Sequence, residues 1–407
     1  MKGTRPDIPL VVVGCDFRSA PTVFRERLVS APEDRERLFQ SIRRIDADAG
    51  LVVLQTCNRF EWIVSTENPA WMAEILLAQM SAAWHTAFPG LPEYPLPAVY
   101  LGEKAALHLL RVAVGLESLA TGESQIAGQF QSALQDALAE KTSSMVLNRL
   151  GSCAGRLAKI GYRIGFRSSQ RKGIHGLTVQ FLKRHFADAG SCRRVLVAGM
   201  GKIGRRTAQT MEEEGGFTVL RINRSIPEGS TDWHPLERLP ELSREADAMV
   251  AATGALTPVF RAGHLDLGSR TQPLLIMDIG IPGQVDPELR EHPGVLYRNI
   301  DHLMDLDQDG VDGVVEKRLE EELVAELELF RRFCRERDMV YLLEKIHQGR
   351  QEVLRNRLTP FLEANLAEVD EGLRRRMEAA IRRLFQEYSE DIHQALHVAL
   401  EEYWSVQ

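Results

Sequence analysis

Val195-Leu196-Val197-Ala198-Gly199-Met200-Gly201-Lys202-Ile203-Gly204 decides the fold of this 407-residue chain. Four apolar residues read as a buried strand, and the residues from Ile203 to Glu214 read as a helix. The glycines between them have the G-x-G-x-x-G spacing. The first permits a tight turn, the second lets a pyrophosphate approach the backbone, and the third allows helix and strand to pack closely. Free N–H groups at the helix start favour an anion. The cofactor-binding candidates are therefore Gly199, Met200, Gly201, Lys202, Ile203 and Gly204.

Three further strands follow, at Val219–Ile222, Met249–Ala252 and Leu274–Met277, so residues of about 170–300 form a doubly wound parallel sheet. The strand after the helix ends in Arg221-Ile222-Asn223-Arg224-Ser225. An acid there would bond the ribose of NAD. Its absence, with an Arg able to pair a 2′-phosphate, favours NADPH and adds Asn223, Arg224 and Ser225 to the cofactor site. A plain surface turn is the competing reading of Arg224. Ala252-Thr253-Gly254-Ala255 is a turn that can flank the nicotinamide.

On the N-terminal side, Leu10–Gly14 and Leu51–Gln55 read as strands, and alternation of Phe60, Trp62 and Val64 suits a half-buried one. Ala31–Arg44 and Pro69–Trp84 read as helices. Residues 102–140 add two more, with a break at Gly122. On the C-terminal side, the apolar residues Val315, Leu319, Leu323, Leu327 and Phe330 recur at steps of three and four. They predict a long amphipathic helix. Leu354, Leu358, Phe361 and Leu366, then Met377, Ile381, Leu384 and Tyr388, are its partner stripes. The expected architecture is multidomain, α/β plus α: an N-terminal α+β catalytic domain (1–155), a Rossmann-type domain with its linking helix (156–302) and a helical dimerisation domain (303–407).

Composition is that of an ordinary globular protein, 44% hydrophobic and 26% charged. A net charge of −7 argues against a global basic field for nucleic acid. The stretch Arg156–Arg171 is nevertheless basic and carries no acid, either a solvated helix face or a local basic surface. Five cysteines, with no CxxC or Cys/His spacing, point to reduced thiols in the cytoplasm and to no metal site. No apolar run is long enough to span a membrane.

Among the cysteines, Cys57 lies between two strands in Gln55-Thr56-Cys57-Asn58-Arg59-Phe60-Glu61, flanked by polar residues. A neighbouring Arg59 favours the thiolate, the form that attacks carbonyls. A buried hydrophobe is the competing reading. Cys15 ends a strand, Cys153 and Cys192 sit near loops, and Cys334 belongs to the long helix's apolar stripe. His108 lies on a helix between Leu107 and Leu109. Gly115-Leu116-Glu117-Ser118 and Gly122-Glu123-Ser124-Gln125 gather hydrogen-bonding groups at a helix junction. A nucleophilic cysteine in one domain and a nicotinamide in another imply a thioester followed by hydride transfer.

Thr56-Cys57-Asn58-Arg59-x-Glu61, His108-Leu109-x-Arg111-Val112-Ala113-x-Gly115-Leu116-x-Ser118 and Gly122-Glu123-x-Gln125-Ile126-x-Gly128-Gln129 together resemble the glutamyl-tRNA reductase family. The resemblance covers about residues 10–305. It includes Gly14-x-x-x-Arg18-Ser19-Ala20-Pro21, Asn223-Arg224 and Asp278-Ile279-x-Ile281-Pro282. It implies a Cys57 attack on the glutamyl-tRNA ester, reduction of the thioester with NADPH, and release of glutamate-1-semialdehyde for tetrapyrrole synthesis. It makes Cys57 and His108 catalytic, with His108 assisting proton transfer. Thr56, Asn58, Arg59, Ser118, Glu123, Ser124, Gln125 and Gln129 would bind substrate. It also implies a homodimer joined through the tail and an aminomutase partner. Departures are Phe17 for a histidine, Ser124 for a proline, Arg167-Ser168-Ser169-Gln170 for Arg-Thr-Glu-Thr, Gly283 for an arginine, and loss of a Lys-Leu-x-His-x-Pro motif in the tail. A regulatory paralogue, or a reductase of another activated acyl donor, would share the fold.

Overall fold

The computed structural model describes residues 7–28, 32–91, 93–119, 125–166, 173–187, 193–227, 229–230, 232–267, 270, 272–306, 313–365 and 370–405. Two compact units divide the chain, Met1–Phe330 and Arg331–Gln407.

The first unit opens with an antiparallel sheet of β1 (Leu10–Asp16), β2 (Gly50–Gln55), β3 (Arg59–Ser65) and β4 (Ala98–Leu101), in the order β2-β3-β1-β4. Its helices are α1 (Thr22–Arg25), α2 (Pro32–Ile45), α3 (Pro69–Ala87), α4 (Glu103–Val114), α5 (Gln125–Ala139) and α6 (Met145–Arg163). Phe60, Trp62 and Val64 pack with Val11 and Val13 against Leu38 and Phe39 of α2 and Leu76 and Met80 of α3. Side chains alternate along a strand, so Arg59 and Glu61 face the opposite way, where Glu61 meets His108 of α4. Every residue of β3 is therefore buried. The half-buried strand expected from alternation is corrected: helices cover both faces, and the polar face is buried as well. Cys153, expected near a loop, is buried within α6. The 155/156 division also falls inside α6, which continues to Arg163.

After α7 (Ile174–His185) comes the second sheet: β5 (Arg193–Ala198), β6 (Phe217–Ile222), β7 (Trp233–His234), β8 (Ala248–Ala251), β9 (Leu274–Asp278) and β10 (Val295–Asn299). All are parallel, in the order β7-β6-β5-β8-β9-β10. Val195 and Val197 pack with α7 and with Ala208 and Met211 of α8 (Lys202–Glu214). Leu196 and Ala198 face Leu239 and Leu242 of α9 (Leu239–Glu245) and Leu289 of α10 (Pro287–Arg290). The strand order reverses between β5 and β8. A crevice opens there beyond the carboxyl ends of the strands, the place where such sheets bind ligands.

The amphipathic stripe after residue 313 forms α11 (Gly313–Val353). Its Leu319, Leu323, Leu327 and Phe330 are buried in the first unit, and its Glu326 pairs with Arg156 of α6 at 2.7 Å. The basic stretch is thus partly neutralised. Its remainder from residue 167 to 172, like Cys192 and the Gly122 break, lies outside the described residues.

In the second unit, α11 passes into a π-helical turn at Leu354–Leu358. Then come α12 (Thr359–Asn365) and α13 (Glu371–Ser405). Phe361, Leu384 and Tyr388 are 61%, 65% and 70% exposed, so these members of the predicted stripes stand open on the single chain, while Leu366 lies outside the described residues. Among the described residues, no helix is long and apolar enough to cross a membrane.

Candidate active site

Cys57 sits at the tip of the β2–β3 hairpin. Thr56 shapes that tip. Its Oγ1 accepts from the N–H groups of Asn58 and Arg59 at 3.1 and 3.2 Å, and its own N–H donates to the Arg59 carbonyl at 2.9 Å. Such a hydroxyl-capped turn lifts the residue after it away from the sheet. Asn58 is buried and its carbonyl accepts from Phe17, while its Oδ1 has no hydrogen-bond partner. Phe17 and Cys57 both pack against the core of the parallel sheet, so the hairpin tip reaches the second domain.

There Cys57 lines a cavity of about 320 Å³ with Thr56, Gln129, Gly201, Lys202, Ile203, the Ala252–Gly254 turn and Ile279–Ile281. Asp278 builds the last wall. Its carboxylate accepts from the N–H groups of Gly280, Gln284 and Val285. Burial nevertheless pushes its pKa up to about 6, against the pull of those bonds.

A larger cavity, about 890 Å³, lies on the other side of the glycine turn. It is lined by Gly199, Asn223 and Arg224, by Thr253 and Gly254, and by Thr257–Val259, Arg261 and His264. Thr253 and Gly254 line both spaces. The three glycines differ in what surrounds them. Gly199 has φ +94, in the left-handed region. A Cβ on Gly204 would lie 1.8 Å from the Gly199 carbonyl oxygen, whereas one on Gly201 would meet nothing within 4 Å. The space above Gly201 is open to a ligand. Asn223 ties this turn to the next strand: its Oδ1 accepts from Met200 N–H at 3.4 Å and its Nδ2 donates to the Ser225 carbonyl at 2.8 Å. Arg221 is engaged by Glu212 and Asp232, which leaves Arg224, beside Asn223 at the end of β6, on the cavity wall, with Arg261 entering from a loop.

His108 is elsewhere. It lines a third cavity, about 470 Å³, with Asp16, Arg18, Glu61, Tyr100, Arg111 and Glu117. Its ring stacks on Tyr100 at 4.0 Å between centroids, and its Nε2 lies 2.8 Å from Glu61 Oε1. The same Glu61 oxygen accepts from Arg59 Nη1 at 2.7 Å, and Arg59 Nη2 donates to the Glu117 carbonyl. Burial alone would raise the Glu61 carboxyl, but the charges of Arg59 and His108 override it and hold it at about 2. Arg59 is thus enclosed, its side chain 1% exposed. His108 connects to the nucleophile's turn through Glu61 and Arg59 and does not line the Cys57 cavity. Of the other expected residues, Ser118 is buried beside Glu117 without lining a described cavity, and Gln125 begins α5. Glu123 and Ser124 lie outside the described residues.

Glu61 appeared in the sequence only as part of a motif. A lone acid among Phe60, Trp62 and Ile63 on a strand was the signal that it is buried and paired. Arg261 and His264 carried no local pattern, because they enter the crevice from a loop.

A six-stranded parallel sheet in this order, with a glycine turn at its switch point, is the fold of nicotinamide-dependent oxidoreductases. Residues 181–306 match the shikimate/quinate 5-dehydrogenase model, and residues 13–161 match the N-terminal domain of glutamyl-tRNA(Glu) reductase. The chain is 28% identical to the glutamyl-tRNA reductase of Bacillus velezensis, over 79% of this chain and 71% of the relative. With that of Priestia megaterium it shares 29%, over 77% and 70%. A solved glutamyl-tRNA reductase from Methanopyrus kandleri aligns over 97% of this chain and 99% of its own, at 23% identity and a TM-score of 0.46. Over most of its length the chain thus resembles glutamyl-tRNA reductases, its N-terminal domain matching their family model.

Proposed function

We propose that this protein reduces glutamyl-tRNA to glutamate-1-semialdehyde with NADPH, the first step of 5-aminolevulinate and tetrapyrrole synthesis. The observation that carries this reading is the shared cavity, in which Cys57 faces the turn Gly201–Ile203. The Cys57 thiolate attacks the glutamyl ester carbonyl, forming a C–S bond. The ester C–O bond breaks, and the tRNA hydroxyl leaves with a proton. Thr253 and Gly254, which border both cavities, would hold a reduced nicotinamide, whose hydride chemistry would reduce the thioester carbon. Collapse of that centre breaks the C–S bond, returning thiolate and aldehyde.

The dinucleotide would cross Gly199–Gly204, with its 2′-phosphate near Asn223, Arg224 and Ser225 in the larger cavity. Gln129 and the Thr56–Arg59 turn would border the glutamyl group, with Ser118, Glu123, Ser124 and Gln125 contributing to its recognition. His108, which the family resemblance casts as a proton-transfer residue, would act here through Glu61 and Arg59 by holding the nucleophile's turn, since it lines a separate cavity. The tail carries a homodimer interface, an aminomutase receives the aldehyde, and the cytoplasm is the site of action. A direct test incubates the protein with glutamyl-tRNA and NADPH. Semialdehyde should form with the parent and fall roughly a thousandfold or more with Cys57→Ser. Equal activity in the two would sink the nucleophile assignment.

A further inference from the structure

Arg25 is a fully buried charge that the mechanism above does not use, its side chain 1% exposed. Its Nη1 donates to the Ala20 carbonyl at 2.6 Å. Its Nη2 reaches Thr22 Oγ1 at 3.0 Å, the carbonyl of Cys57 itself at 3.3 Å, and Asp301 Oδ1 at 3.1 Å. Its Nε has no partner, so these bonds must satisfy the whole guanidinium. Asp301 belongs to the other domain, two residues beyond the end of β10. It also accepts from the Thr22 N–H at 2.9 Å and the Thr22 hydroxyl at 2.7 Å. A second tie runs alongside: Glu26 accepts from the Gly283 N–H and lies 3.8 Å from Arg290 Nη1. Gly283 follows the Ile279–Ile281 segment that walls the Cys57 cavity.

These bonds join the nucleophile's own peptide to the sheet that would carry the hydride donor. A surface ion pair contributes little. A buried one is costly to break from one side, because a desolvated charge is left behind. We infer that Arg25 and Asp301 are positioning residues that set the distance between the Cys57 thioester and the nicotinamide subsite. They therefore govern hydride transfer and not attack on the ester. This rests on the proposed function. Attack needs only the hairpin and the substrate. Hydride transfer needs reacting atoms about 3–3.5 Å apart, and a misplacement of about 1 Å costs on the order of 100-fold.

The test separates the two steps in single turnovers of the full chain with labelled glutamyl-tRNA. With Asp301→Ala, tRNA release should stay within about threefold of the parent, while semialdehyde formation with NADPH falls about 30- to 100-fold. Free glutamate should rise as water cleaves the waiting thioester. The isotope effect from NADPH deuterated at the transferred position should grow. Asp301→Asn, which keeps an acceptor oxygen, should fall between. A proportional loss of both steps, or of neither, overturns the inference. If Asp301→Ala fails to fold, Thr22→Val against Thr22→Ser gives the same comparison. A parent that neither releases tRNA nor makes semialdehyde would instead refute the proposed function.

Discussion

His108 Nε2 and Glu61 Oε1 stand 2.8 Å apart inside the N-terminal domain, and Arg59 bonds the same carboxylate oxygen from the other side. One buried acid thus binds a helix and the nucleophile's turn together. Removing one member of such a buried set leaves uncompensated charge and costs about 3–5 kcal/mol. Glu61→Ala should lower the melting temperature by roughly 10 °C. It should also depress semialdehyde formation, since Arg59 then loses its fixed place. A melting scan with no shift would contradict the pairing.

The pH dependence has a definite sign. Against burial, the Arg59 and His108 charges lower the folded-state pKa of Glu61 to about 2 from its ordinary 4.5. Its contribution to stability is therefore fully present above about 4.5 and is lost as pH falls toward 2. In Glu61→Gln that part of the acid unfolding should vanish. Urea midpoints of parent and variant, measured between pH 6 and 2.5, should converge as the pH drops (roughly the range over which the carboxyl titrates). Parallel curves would argue against it.

Gly201 and Gly204 should fail differently. A Cβ on Gly204 would meet the Gly199 carbonyl oxygen, while one on Gly201 would meet nothing within the protein. Gly204→Ala should destabilise the apoprotein by about 1–3 kcal/mol. Gly201→Ala should keep the parental melting temperature and raise the Kd for NADPH about tenfold or more, because the pyrophosphate needs that space. Calorimetry and cofactor titration on the two variants decide it.

Arg224 lines the large cavity, whereas Arg221 is already paired with Glu212 and Asp232. Losing a charge-assisted contact costs about 1.5–3 kcal/mol. Arg224→Ala should thus weaken NADPH about 10- to 100-fold while leaving NADH within about twofold. Equal weakening of both cofactors would remove the 2′-phosphate role.

Phe361, Leu384 and Tyr388 expose much of their surface in one chain. If they face a second copy, Leu384→Glu with Tyr388→Glu should shift the protein from dimer to monomer in sedimentation at micromolar concentration. A parent that sediments as a monomer would refute the homodimer.

The parallel sheet was legible from residues 195–204 because strand, turn and helix are contiguous, and its four inner strands carry apolar runs; the edge strands Trp233–His234 and Val295–Asn299 carry no such run and were not legible. The N-terminal sheet was less so. Alternation of Phe60, Trp62 and Val64 marked a strand correctly, but could not reveal that Arg59 and Glu61 lie under helices of their own. The Cys57 cavity was half legible. Its cysteine and glycines lie within short motifs, whereas their meeting depends on Arg25, Glu26 and Asp301, which are 276 residues apart at the longest ion pair. No local pattern encodes that separation. The enclosure of Arg59 and the seat of His108 in another cavity likewise follow from packing between α4 and β3.

The covalent stage of the proposed chemistry imposes an order of events at the Cys57 cavity, about 320 Å³ in volume. The ester bond to the tRNA breaks as the Cys57 thioester forms, so the acyl group changes carriers before reduction begins. Such an enzyme follows substituted-enzyme kinetics: the first product leaves before the second substrate acts, and the protein itself stores the activated group between the two visits.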